Sequence, residues 1–219
     1  MLVGIRKCRL TIHSSRTRFV ASLKGVAGVA PSVPDLPVAG RLNSGVRSRM
    51  EIRPLTKADA SAFHALRLSA LRECPEAFGS SFEEESDIPI AVVSDRIAAT
   101  ANHCLFGAFD QADLVGCIGL RRETKRKLAH KALVWGMYVA PSYHSKGIGR
   151  QLLAEALQLA ESMAELRQVK LSVTAANAAA IALYESMGFR SFGVELNSLL
   201  IDGEFHNEIH MVRKVKGDT

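Results

Sequence analysis

The sequence predicts one mixed α/β (α+β) domain, and three observations predict it. Residues 133–157, LVWGMYVAPSYHSKGIGRQLLAEAL, pass from an apolar strand through a proline turn and a glycine-rich loop into an amphipathic helix. Residues 171–189 make a similar passage. Leu171-Ser172-Val173-Thr174 has strand character, Asn177 stands where a helix N-cap belongs, and Gly188 closes the helix before Phe189. Upstream, apolar runs at 104–109 and 114–120 are separated by Asp110-Gln111-Ala112-Asp113, the pattern of a hairpin. No internal repeat is visible.

The elements follow in order from Met50. Glu51-Ile52-Arg53 is a short strand. Thr56 with Asp59 three residues on resembles a capping box, with Asp in place of Glu or Gln. It starts a helix to about Leu71, placing Phe63, Leu66, Leu68 and Leu71 mostly on one side. Cys74-Pro75 stops that helix, because the residue before a proline is pushed out of the helical region. A polar loop over 79–87 leads to a second helix over 91–101. The hairpin follows, and the basic run 121–131 is a solvated turn. A strand at 134–139, the helix after the glycine loop, a strand at 169–173, a helix at 177–187 and two last strands near Phe189 and Ile209 complete the chain. The order is β-α-α-β-β-β-α-β-α-β-β.

Charge divides the sequence at residue 50. The chain has a formal charge of +6, but residues 1–49 hold nine Lys or Arg against one acid, Asp35. The remaining 170 residues hold 19 basic and 21 acidic side chains. The domain at 50–219 is therefore nearly neutral, which removes the charge argument for nucleic-acid binding. Residues 1–49, rich in Arg and Ser and carrying the run Pro31-Ser32-Val33-Pro34-Asp35-Leu36-Pro37, are expected to be a disordered basic extension. An over-extended start or a targeting segment both account for it. No apolar run approaches the ~20 residues needed to span a bilayer. The four cysteines, at 8, 74, 104 and 117, form no C-x-x-C pair and no metal-ligand spacing, so no metal is expected. Their usage agrees with a cytoplasmic location.

The loop Ser145-Lys146-Gly147-Ile148-Gly149-Arg150 lies at a helix N-terminus. Unpaired backbone N–H groups and the positive end of the helix dipole converge there, which suits a phosphate. Gly147 and Gly149 let an anion approach the backbone, and Lys146 and Arg150 add charge. Neither G-x-x-x-x-G-K-[ST] nor G-x-G-x-x-G is present. The spacing His144-x-x-Gly147-x-Gly149, after Met137-Tyr138-Val139, instead resembles the pyrophosphate loop of the GNAT superfamily of N-acetyltransferases, Q/R-x-x-G-x-G/A. His144 departs from it at the first position. Downstream, the strand, Asn177 and Ala180-Ile181-Ala182-Leu183-Tyr184-Glu185-Ser186-Met187-Gly188-Phe189 resemble the family's strand, Asn and A-x-x-L-Y-x-x-x-G-F helix. The order of elements resembles that fold along about 165 residues.

The resemblance implies the GNAT acyl-CoA N-acyltransferase fold: a mixed, mostly antiparallel central sheet flanked by helices, splayed between the two motif strands. It implies acetyl-CoA as donor and an amine as acceptor, with direct attack on the thioester. Met137, Tyr138 and Val139 would hold the pantetheine arm along the strand, with Asn177 beside it. His144, Ser145, Lys146, Gly147, Ile148, Gly149 and Arg150 would hold the pyrophosphate. Tyr184 would lie near the sulfur as proton donor, the one catalytic assignment. No acid lies on the strand 132–139, so the general base stays open among Glu83, Glu84, Glu85, Glu208 and water. His206 and His210 are expected to share a face of the last strand, with Glu208 opposite. Acceptor choice is assigned to 78–87 and 199–206. A non-catalytic coenzyme A-binding sensor or scaffold is the alternative of another class. Partners are limited to acetyl-CoA and the amine, with no nucleic acid, no membrane, and a monomer or homodimer.

Overall fold

The computed structural model describes residues 50–215. The expected disordered extension, 1–49, lies outside the described residues, as does Cys8. The strands are β1 (Met50–Pro54), β2 (His103–Asp110), β3 (Asp113–Arg122), β4 (Lys131–Val139), β5 (Gln168–Thr174), β6 (Arg190–Ile201) and β7 (Glu204–Lys214). They form one sheet in the order β1-β2-β3-β4-β5-β7-β6. Only β4 and β5 run parallel; every other neighbouring pair is antiparallel. The sheet is mixed and mostly antiparallel, as the resemblance implies.

The helices are α1 (Ala60–Glu73), α2 (Phe82–Ser86), α3 (Ile90–Ile97), α4 (Ile148–Ser162) and α5 (Ala178–Ser186). Asp59 organises the start of α1. Its carboxylate accepts from the Thr56 N–H at 2.7 Å and hydroxyl at 2.9 Å, and Arg53 grips both its oxygens at 2.8 and 2.9 Å. These bonds close a 3₁₀ turn over Lys57–Asp59 before the α-helix begins.

The loop expected at 79–87 instead contains α2. Ser81 N–H donates to the Glu84 carboxylate at 2.8 Å, and the Ser81 hydroxyl accepts from Glu84 N–H at 3.3 Å. That Ser-x-x-Glu box was legible in the sequence. The second predicted helix is shorter than 91–101, ending at Ile97 ahead of the turn that pairs Thr100 with His103.

Each face of the sheet carries a helical layer. Leu152, Leu153, Ala156 and Leu157 of α4 share one core with Ile118, Leu120, Val169, Leu171 and Met211. Phe63, Leu66 and Ala70 of α1, with Val93 and Ile97 of α3, share the other with Leu105, Phe109, Cys117 and Tyr138. A buried leucine in such a layer contributes about 2 kcal/mol by area alone.

β4 changes register within this frame. Cys117 faces Tyr138 and Gly119 faces Trp135, so two steps on β3 oppose three on β4. The extra residue is Gly136, at φ +61°, which makes a bulge and bends the strand. Beyond the Leu133–Lys170 pair, β4 no longer ladders with β5. Gly119 leaves room for the indole of Trp135; a Cβ there would lie 2.4 Å from the ring.

Candidate active site

The opening between β4 and β5 is the centre of the site. Two cavities meet there. One, of about 410 Å³, runs from the splayed strands to the start of α4 and is walled by Met137, Val139, the glycine loop, Asn177 and Tyr184. The other, of about 370 Å³, lies against α1 and α3 and is walled by Phe63, His64, Arg67, Glu85, Arg96 and Trp135. Ala77, Phe78, Val134, Trp135, Gly136 and Ser172 line both.

Nearly every donor-side residue expected from the sequence lines the first cavity: Met137, Tyr138, Val139, His144, Ser145, Gly147, Ile148, Gly149, Arg150, Asn177 and Tyr184. Lys146 does not; its ammonium rests 4.4 Å from the Tyr143 ring centroid. Arg150 is held at 2.7 Å by the Ser186 hydroxyl, tying the loop to the end of α5.

Gly147 is the N-cap of α4 at φ +78°, a conformation that costs a Cβ-bearing residue strain. Gly149 packs under Met137, where a Cβ would come within 3.0 Å of the Met137 Cε. The first-turn N–H groups of the 15-residue α4 therefore open into the cleft with no Cβ at either glycine. A pyrophosphate fits that cradle, and an extended arm fits the unladdered edge of β4.

His144 acts locally in a way its sequence position did not reveal. Its Nε2–H donates to the Val139 carbonyl at 2.7 Å, so the ring pins the loop to the end of β4. That bond engages the carbonyl at the end of the strand expected to receive the pantetheine arm.

Asn177 accepts from Ala180 N–H at 3.1 Å as the α5 N-cap, while its side chain also lines the cleft. Tyr184 is buried, edge-on to Phe189 at 5.9 Å, and its hydroxyl lies 3.4 Å from the Met137 sulfur across the splay. Burial pushes the phenol up to about 12, so it keeps its proton throughout the neutral range.

The carboxylates proposed as bases are mostly engaged. Arg67 binds both oxygens of Glu85 at 2.8 and 3.0 Å. Burial alone would raise that carboxyl, but the guanidinium outweighs it and holds it below the usual range. Glu84 caps α2, and Glu208 accepts from the Ser198 hydroxyl at 2.6 Å.

His206, Glu208 and His210 are separated by two residues on a strand with no bulge of its own, so all three face one side. The expected opposition of Glu208 is thus corrected. Of the segments assigned to acceptor choice, 78–87 supplies Phe78, Gly79, Ser80 and Glu85 to the second cavity. The segment 199–206 is the β6–β7 hairpin and lines neither.

Among the residues not expected at the site are three that line the first cavity. Gly136 shapes the splay, and an isolated glycine inside an apolar strand is the signal for a bulge. Glu76 lines the first cavity, its carbonyl accepting from the buried Thr174 hydroxyl. Ser172 borders both cavities.

Among the described residues no group of three side chains is arranged to hold a metal. Cys74, Cys104 and Cys117 are buried thiols, as small core residues should be. No described helix is long and apolar enough to cross a membrane.

Residues 65–189 match the family model described as the acetyltransferase (GNAT) family. The N-alpha-acetyltransferase RimI of Mycobacterium tuberculosis is 31% identical over 167 residues, covering 76% of this chain and 93% of that protein. The uncharacterized protein ML0378 of Mycobacterium leprae is 31% identical over 174 residues, 77% of this chain; the match spans only about half of that longer protein, 46%. The solved structure of YncA from Salmonella typhimurium, with its cofactor acetyl-CoA, superposes at a TM-score of 0.64. It covers 77% of this chain and 95% of that one at 18% identity, which speaks for the fold alone.

Proposed function

The chain belongs to the GNAT acetyltransferase family and is an acetyl-CoA-dependent N-acetyltransferase; from that premise we propose that its acceptor is a primary amine entering by the 370 Å³ cavity. The observation that carries this reading is the splay: two cavities share a wall where β4 leaves β5. One reactant on each side of that wall brings the amine to the thioester without passing through the sheet. The likeness to RimI, an N-alpha-acetyltransferase, favours an α-amino group over a side-chain amine.

In this reading the backbone of Met137–Val139 receives the pantetheine arm as an added strand, and the N–H groups at Gly147–Arg150 hold the pyrophosphate. Bound there, acetyl-CoA supplies the activated acyl group. The chain supplies orientation and proton transfer. The neutral amine attacks the thioester carbonyl directly, Tyr184 gives its phenolic proton to the departing sulfur, and the proton shed by the acylated nitrogen restores the phenol. Its raised pKa keeps the phenol protonated at neutral pH until the thiolate develops. Asn177 fixes the start of α5, and through it the position of Tyr184 seven residues on.

Calorimetric titration of the chain with acetyl-CoA, with desulfo-coenzyme A as control, tests the donor site. A screen of amines by thiol release tests the acceptor. Micromolar donor binding followed by turnover of an α-amino compound supports the proposal. Donor binding with no amine turned over would favour a coenzyme A sensor instead.

A further inference from the structure

We propose that Ser172, His210 and Glu195 form a proton relay that removes the proton from the acceptor ammonium, an inference that rests on the amine-transfer reading above. Ser172 of β5 and His210 of β7 are direct cross-strand partners, and the Ser172 hydroxyl lies 2.8 Å from His210 Nδ1. The opposite ring nitrogen, Nε2, lies 3.0 Å from the Glu195 carboxylate. A carboxylate only accepts, so Nε2 carries the hydrogen and Nδ1 is the acceptor for the serine hydroxyl.

Backbone geometry makes room for the second contact. Gly193 stands directly opposite His210, with nothing within 4 Å of where its Cβ would point. Glu195, two residues on, reaches diagonally across that gap. The order hydroxyl, imidazole, carboxylate is that of a base oriented by a third group.

Position gives the cluster its role. Ser172 lies two residues past the last β4–β5 pair and borders both cavities, where the amine and the acyl group must meet. Glu85, Glu84 and Glu208 are each committed to other partners. The groups facing His210 are Glu195 on β6, Glu208 on its own strand, and the Phe192 ring at 5.9 Å, over which Lys170 of β5 sits.

The step balances without any redox partner. One N–H bond of the ammonium breaks as an O–H bond forms at Ser172 Oγ. The original Ser172 O–H bond breaks as an N–H bond forms at His210 Nδ1. The amine keeps the electron pair that then attacks the carbonyl carbon. His210 holds the charge against Glu195 and releases the proton to solvent, to which its side chain is 30% exposed.

The test uses the full chain at saturating acetyl-CoA with tetra-alanine amide as probe, and hydroxylamine as an acceptor already neutral at pH 7. Ser172→Ala and His210→Gln should each lower kcat/KM for the peptide about 10- to 100-fold at pH 7. The deficit should shrink above pH ~8, where an α-amine loses its proton unaided, and be small with hydroxylamine. Glu195→Gln should show the same pattern more weakly, and acetyl-CoA affinity should stay within about twofold in all three. A deficit independent of pH and of acceptor would overturn the relay, as would a silent Ser172→Ala beside a strong Glu76→Gln defect.

Nitrogen NMR of His210 decides the matter if neither probe turns over. An Nε2–H tautomer whose Nδ1 resonance moves in Ser172→Ala supports the relay; an Nδ1–H tautomer, or no movement, sinks it. Loss of acetyl-CoA binding by the unaltered chain would instead count against the functional reading.

Discussion

The two cavities share a wall but are made of different material. The cavity proposed for the donor presents main chain: the unladdered edge of β4 and the first turn of α4, with Gly147 and Gly149 keeping the approach open. The residues that the sequence assigned to it fall in two stretches, 137–150 and 177–184. The cavity proposed for the acceptor is walled by polar and aromatic residues from separate elements: His64 and Arg67 from α1, Glu85 from α2, Arg96 from α3, Trp135 from β4 and Ser172 from β5. Backbone recognition tolerates much sequence change while keeping one ligand. Side-chain recognition changes ligand with each substitution. One fold can thus keep a common donor and vary its acceptor.

Truncating a charge on the acceptor side should have the largest effect. Arg67 is 11% exposed, places two N–H groups on Glu85 and lies 4.4 Å over the Phe78 ring. Arg67→Ala leaves Glu85 without its guanidinium and should cost about 3–5 kcal/mol of stability, read as a fall in denaturant midpoint. The donor side should survive where the protein still folds. An acetyl-CoA affinity within a fewfold of the parent would sustain the division between the walls, and a large loss would break it.

The next effect lies on the donor side and should leave the acceptor side alone. Gly147→Val puts a β-branched residue at φ +78° and a side chain beside the N–H groups of the loop. Acetyl-CoA binding should weaken about 100-fold or more, worth about 2.7 kcal/mol. Near-UV circular dichroism unchanged around Trp135 would show the acceptor wall intact.

What the sequence made legible follows the same division. The glycine loop, Asn177 and Tyr184 were readable because each is local: a turn, a cap and a position on one helix. The expected loop at 79–87 hid α2 because three consecutive glutamates suggest a solvated segment, whereas Glu84 caps and Glu85 turns inward to Arg67. The serine–histidine pair joins residues 38 positions apart, and only the β5–β7 register brings them together. His144 lay between these cases. Its place in the motif was visible, but its hold on the Val139 carbonyl depends on the turn that folds the loop back.

In the proposed mechanism Tyr184 belongs to both walls in time, since it would serve the donor sulfur only as the acceptor attacks. Tyr184→Phe should lower kcat about 10- to 100-fold with acetyl-CoA affinity little changed, since it removes only the hydroxyl and keeps the ring. The same variant carries a pH signature. The folded pKa of about 12 stands above the unfolded value near 10, so the stability linked to the buried neutral phenol is complete below pH ~10. It is lost progressively toward pH 12, by roughly 2 kcal/mol. Alkaline unfolding curves should therefore begin to fall later in Tyr184→Phe; coincident curves would mean the phenol ionises without penalty.

The smallest effect should come from Lys146. Its ammonium lies over the Tyr143 ring at the rim of the loop, not in the cleft, so it acts on an anion through solvent. Lys146→Glu should weaken acetyl-CoA binding only about three- to tenfold in low salt, and the difference should fade as ionic strength rises past 0.15 M, where charges are screened beyond ~8 Å. Gly147→Val, by contrast, should keep its deficit at every salt concentration, because it acts on backbone geometry. If Lys146→Glu proves as damaging as Gly147→Val and equally insensitive to salt, the pyrophosphate is held by that side chain. The donor wall would then follow the same rule as the acceptor wall.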